Sequence, residues 1–138
     1  MEDNQIIFES QVEHTIDTSP LKKWLNRVMV SLGVSNFAIT YVLVSDEALL
    51  EINRKYLDHD YYTDIVTFDM SDTEETVEGD LFVSLDRIKD NASKLSVSFD
   101  TELKRVLVHG VLHLVGYDDK DEKHQAEMRK KEDELLSI

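Results

Sequence analysis

Apolar residues recur along this chain with two periods, and the switches between them divide it into elements. The stretch "QIIFESQV" (5–12) is rich in strand formers. "SPLKKWLNRVMVSLG" puts Leu21, Trp24, Leu25, Val28 and Leu32 on one helical face. Ser19 suits the N-cap of that helix, Pro20 its first position and Gly33 its C-terminal cap. "FAITYVLV" (37–44) predicts a buried strand, after which Ser45 caps a helix with Ala48, Leu49, Ile52 and Tyr56 turned inward. "DIVTFDM" and "GDLFVS" predict two short strands around a solvated acidic loop, "SDTEETVEGD" (71–80). Leu85, Ile88, Ala92 and Leu95 mark another amphipathic helix. Asp100 suits the cap of the next one, with Glu102 favourable in its first turn; it runs to about Val115, where Gly116 ends it. A charged helix from Asp121 to Leu136 follows, with Ala126, Met128 and Leu135 as its contacts. Strand, helix, strand, helix, strand, strand and three helices predict an α+β fold, one sheet with helices gathered around it.

Length and composition narrow the picture. The 138 residues suit one domain, 1–138, with no repeat or linker, and one proline and four glycines predict short loops. With no cysteine there is no disulfide, thiolate zinc site or cysteine nucleophile, which fits a reducing compartment. "MEDNQIIFES" lacks the basic start and apolar stretch of a signal peptide, and no apolar run approaches the ~20 residues that span a bilayer. A soluble, cytoplasmic protein without a membrane partner is expected. Net charge is −14, from 29 acidic and 15 basic residues, which opposes nonspecific binding to polyanions. Contact with nucleic acid must then rest on a local patch or a metal, and DNA is not an expected partner.

The candidate chemistry lies in "HGVLHLVGYDD" (109–119). On a helix, residues four apart share a face, so His109 and His113 can aim two imidazoles at one point. Gly116 permits a sharp turn that returns Asp119 to the same point. Two ligands on a helix and one beyond a glycine turn leave a fourth position for water, the arrangement of a catalytic metal site. The plainer alternative is a pair of core or surface histidines. Burying two unpartnered imidazoles in "VLVHGVLHLV" would cost roughly a few kcal/mol, and a metal satisfies both.

"HGVLHLVGYDD" resembles the signature of the YbeY family of rRNA-maturation factors, H-G-x-L-H-L-x-G-Y-D-H. His109, Gly110, Leu112, His113, Leu114, Gly116, Tyr117 and Asp118 match as they stand. "NRKYLDHDYYTDIVTFDM" is similar to the family's N-x-x-Y-R-x-x-D-x-P-T-D-V-L-S-F segment, and "EGDLFVSLDRI" to its L-G-D-I-x-I-S strand and helix start. The resemblance implies a single mixed sheet of about four strands with about five helices and a zincin-like metal site. It also implies a zinc-dependent, single-strand-specific endoribonuclease of the bacterial cytoplasm. Such an enzyme acts in 16S rRNA maturation and ribosome quality control, with rRNA and the small ribosomal subunit as partners.

The chain departs from that pattern at instructive places. Asp119 stands where the family has its third histidine; an aspartate still ligates zinc, but makes the ion less electrophilic. Two histidines and a carboxylate also suit iron, manganese or nickel, so another divalent metal is open. His124 competes as third ligand, although motif spacing favours Asp119. Leu57 replaces an arginine that would clamp phosphate; Arg54, Lys55 and His59 are nearby substitutes for substrate binding, or merely exposed helix-end charges. Tyr62 replaces a proline. Gly110 holds the place where H-E-x-x-H metallopeptidases carry their glutamate base, so a zincin-type peptidase is disfavoured. Asp64 and Asp118 are the carboxylates available to take a proton from water, or else to orient other groups. The catalytic set is then His109, His113, Asp119, Asp64 and Asp118. A ribosome-associated binding factor with little catalysis is the main rival, and an iron oxygenase the weakest.

Overall fold

The computed structural model describes residues 4–138, so the first three residues of the stretch read for a signal peptide lie outside it. Its elements follow the predicted order: β1 (Gln5–Ser10), α1 (Thr18–Ser31), β2 (Asn36–Val44), α2 (Asp46–Tyr56), β3 (Ile65–Asp69), β4 (Thr76–Ser84), α3 (Leu85–Leu95), α4 (Phe99–Leu114) and α5 (Glu122–Leu136). The four strands form one mixed sheet in the order β1-β2-β4-β3. β2 runs parallel to both β1 and β4, while β3 pairs antiparallel with β4. Central β2 alternates half-buried residues with Phe37, Ile39, Tyr41 and Leu43, all buried, and ends in buried Val44. No helix among the described residues is long and apolar enough to cross a membrane.

α4 is the helix the core is built around. Leu103, Val106, Leu107, Val108, Val111 and Leu112 are all buried on it, each worth about 1.5–3 kcal/mol against exposure. Gly110 sets how close it lies to the sheet. A β-carbon there would stand 2.3 Å from Leu81 Cδ2 and 2.8 Å from Ile65 Cδ1, so any larger residue would force those core side chains or the helix to move. The buried Tyr41 hydroxyl donates to the Leu107 carbonyl at 2.8 Å and ties β2 to α4. On α5, Met128 and Leu135 enter the same core, and Trp24 Nε1 of α1 donates to the Leu135 carbonyl at 3.2 Å.

Several local expectations shift. α1 is capped by Asp17, whose carboxylate accepts from the Ser19 amide, so the helix starts before Ser19. α4 is capped by Ser98 in place of Asp100, because the Ser98 hydroxyl reaches the Thr101 amide. The second half of the acidic stretch is strand: Thr76–Asp80 pair with β2 through the backbone, which is indifferent to side-chain charge. Tyr56, Leu95 and Ala126 face outward; Tyr56 and Leu95 lie in the last turns of their helices, past the edge of the core.

Candidate metal centre

The centre starts from the rotational setting of α4. With Gly110 against the sheet, His109 and His113 come out half-buried on one face, rings 4.7 Å apart and nearly perpendicular. Their Nε2 atoms are 3.1 Å apart. The chain then turns at Gly116, whose φ of +107° disfavours any side chain. The turn is closed by the Gly116 amide on the His113 carbonyl and by the Tyr117 amide on the Leu112 carbonyl. It brings Asp119 Oδ2 to 3.6 Å from His109 Nε2 and 3.9 Å from His113 Nε2. Gln125 of α5 holds the Asp119 carbonyl at 3.0 Å.

These distances fit an ion. Ligand atoms about 2.0–2.1 Å from a tetrahedral zinc lie roughly 3.3–3.4 Å from one another. The three donor atoms here lie within 4.8 Å of each other, and the separations above bracket that figure. His124 does not join them. Its ring and amide are both held by Asp121, the N-cap of α5, with ring Nδ1 at 2.6 Å. Asp118 accepts from the Lys120 amide at 3.3 Å and faces His124 at 3.8 Å.

Glu132 supports the centre from α5. Its Oε2 lies 2.7 Å from His109 Nδ1 and, as an ionised carboxylate, accepts from an N–H there, which favours the tautomer whose Nε2 lone pair faces Asp119. Arg105 holds the other oxygen of Glu132 at 3.0 Å and Asp133 at 2.7 Å. Burial pushes the His109 pKa down, but the bond and charge of Glu132, with the charges of Asp119 and Asp64, together outweigh it and the net is upward. Burial and His109 together lower His113, which keeps its ring neutral and ready to ligate. Burial opposes the charge on Glu132 too, yet His109 and Arg105 hold its pKa below the usual carboxylate range.

Two hollows meet at His109. One, of about 540 Å³, lies between α4 and α5 and is lined by Glu102, Arg105, Arg129 and Glu132. The other, of about 530 Å³, opens toward the α2–β3 loop and carries Leu57, His59, Tyr61 and Thr63. His109, Asp119 and Asp64 line both. Burial raises the Asp64 pKa, against the pull of nearby His109, and Asn91 stands 3.5 Å from its carboxylate. Glu102, 6% exposed, is raised by burial and then by Asp64. Of the residues named for substrate, His59 lines the second hollow. The Arg54 guanidinium is engaged by Asp60 and Glu51, and Lys55 lies 5.3 Å from the Tyr56 ring.

Glu132 goes unread in the sequence and Glu102 reads only as a first-turn residue of its helix, though a signal exists for placing both at the site. Glu132 falls four residues after Met128 and three before Leu135, on the inward stripe of α5, where a charge needs a partner. Glu102 lies seven residues before His109, on the same face of α4, but reads equally as a helix-dipole residue.

A family model described as Endoribonuclease YbeY matches residues 6–138. A protein of Cytophaga hutchinsonii named Endoribonuclease YbeY is 44% identical over 138 residues, covering 99% of this chain and 96% of its own. One of the same name from Flavobacterium psychrophilum is 42% identical over 131 residues, covering 95% of this chain and 92% of its own. The solution structure of TM1509 from Thermotoga maritima superposes with a TM-score of 0.68 at 26% identity, covering 96% of this chain and 87% of that one.

Proposed function

The chain belongs to the Endoribonuclease YbeY family, and from that premise we propose that it is a metal-dependent endoribonuclease, 1–138 acting as one domain. Its proposed substrate is single-stranded RNA, and its setting the maturation of 16S rRNA and ribosome quality control in the cytoplasm, beside the small subunit. The observation that carries the metal-dependent reading is the convergence of His109 Nε2, His113 Nε2 and Asp119 Oδ2 beside two hollows.

His109, His113 and Asp119 would hold zinc, or another divalent transition metal. Bound there, the ion would supply Lewis acidity toward a phosphoryl oxygen and a more acidic water. Glu132 fixes the tautomer and ring plane of His109. Asp64 stands in both hollows with a pKa raised by burial, which makes it a stronger base than an ordinary carboxylate and suits it to take a proton from water. Asp118 braces the turn through the Lys120 amide, a supporting role in the catalytic set. Gly110 packs against Leu81 and Ile65, so the position that carries the glutamate base in metallopeptidases holds no carboxylate here.

The test is elemental analysis of purified protein. Near-stoichiometric transition metal is expected, with His113→Ala losing it and His109→Ala losing cleavage of single-stranded RNA. Metal content unchanged by His113→Ala would remove the site. A second reading, a ribosome-associated factor with little catalysis, draws on Leu57 and on the engagement of Arg54 by carboxylates. It prevails if ribosome association persists while no cleavage is seen.

A further inference from the structure

The α2–β3 loop carries aromatic rings that the core does not use. Tyr62 is already engaged within the fold, its ring 4.6 Å from the Arg87 guanidinium and its hydroxyl donating to Glu47 at 2.8 Å. Tyr56 packs edge-on against Phe68. Tyr61 differs. It is 56% exposed, and among the described residues its hydroxyl makes no hydrogen bond and its one ring partner is His59. The two rings stack at 4.9 Å with an interplanar angle of 18°. Both line the hollow that also contains His109, His113 and Asp119, with Leu57 beside them.

We propose that His59 and Tyr61 form a stacking ledge for an unpaired nucleobase of single-stranded RNA at the lip of the metal cleft. The inference rests on the ribonuclease reading and names a substrate contact for it. Charge argues for this occupant. The chain carries −14, Leu57 is uncharged, and Asp60 and Glu51 already occupy Arg54. Phosphates therefore find little cationic grip on this side of the cleft. The flat face of a base is uncharged, and aromatic rings hold it with little regard to sequence. A paired base is locked in its helix and offers no free face, so such a ledge also selects for single strands.

The test uses the full-length, metal-loaded protein and a short single-stranded oligoribonucleotide carrying 2-aminopurine. Wild type is expected to quench the probe on binding. Tyr61→Ala should raise KM about tenfold and abolish the quench, with the full metal content retained. Tyr61→Phe and Tyr61→Trp should preserve both. An oligonucleotide with abasic sites should bind wild type as weakly as Tyr61→Ala binds the intact one. Equal KM and equal quenching in wild type and Tyr61→Ala would overturn the ledge and leave the ribonuclease reading standing. Wild type that neither binds nor cuts any single-stranded RNA would overturn both.

Discussion

On one side of His109 the ring nitrogen meets a carboxylate 5% exposed, itself gripped by an arginine of the same helix as the histidine. On the other side the cleft runs out to Tyr61, 56% exposed, stacked on half-buried His59. The first side is polar, paired and buried between α4 and α5. The second is a loop surface with unused contact area. A fixed imidazole needs the first kind of surroundings, since a ligand that swings loses its ion. A flexible polymer substrate needs the second kind, since it must enter and leave. The contrast separates the residues placed to fix a metal ligand from those proposed to meet the substrate.

Asp64 belongs to both sides, so replacing it should have the largest effect. Asp64→Asn is expected to slow RNA cleavage by roughly 10²–10⁴-fold, measured under single-turnover conditions with metal content unchanged. The same change should raise the thermal midpoint of the metal-free protein at neutral pH. Burial raises the folded pKa of Asp64, so its stabilising contribution is present only at low pH and is lost as pH rises through that value. Ionised Asp64 therefore weakens the fold at neutral pH, and the gain from asparagine should vanish below about pH 3.9. A thermal midpoint unmoved at neutral pH would show that Asp64 is well solvated.

Glu132→Ala probes the buried side alone. It leaves Arg105 and His109 without their partner, so metal affinity should fall about 10–100-fold and stability by about 3 kcal/mol. Glu132→Gln keeps an acceptor for Nδ1 and should lose less of each. Isothermal titration with the metal, beside denaturant unfolding, reads the two effects. An affinity that survives Glu132→Ala would move this carboxylate from ligand support to packing alone.

The smallest effect is that of pH. His109 is raised by Glu132 despite its burial, and the ion must displace the proton its ring carries below that raised pKa. Metal affinity should thus decline about tenfold per pH unit on the acid side of that value. In Glu132→Ala the decline should begin at a lower pH. A curve with the same onset in both proteins would break the link between the two residues.

The element order and both histidines were readable because period and spacing are local properties. Asp119 was readable because Gly116 fixes the turn before it. The caps moved by two residues because Asp17 and Ser98 are as competent as Ser19 and Asp100, and only the backbone path chooses between them. The extent of β4 was hidden by its charge, since pairing with β2 is a contact across the sheet. Glu132 was hidden for a related reason. Its partner His109 lies twenty-three residues away in sequence, and only the docking of α5 on α4 joins them.

Gly110 has one more consequence. A helix normally has several angular seatings on a sheet, and here the missing methyl works as a keyway that favours the one in which Gly110 faces Leu81 and Ile65. One extra residue between positions 110 and 113 would carry His113 about 100° round the axis and out of line with its neighbour. One extra residue between Arg105 and His109 would move Arg105 by the same angle away from Glu132, with both imidazoles still keyed in place. Length changes in this helix are therefore expected only before Glu102, where a turn can be gained or lost without disturbing the lock.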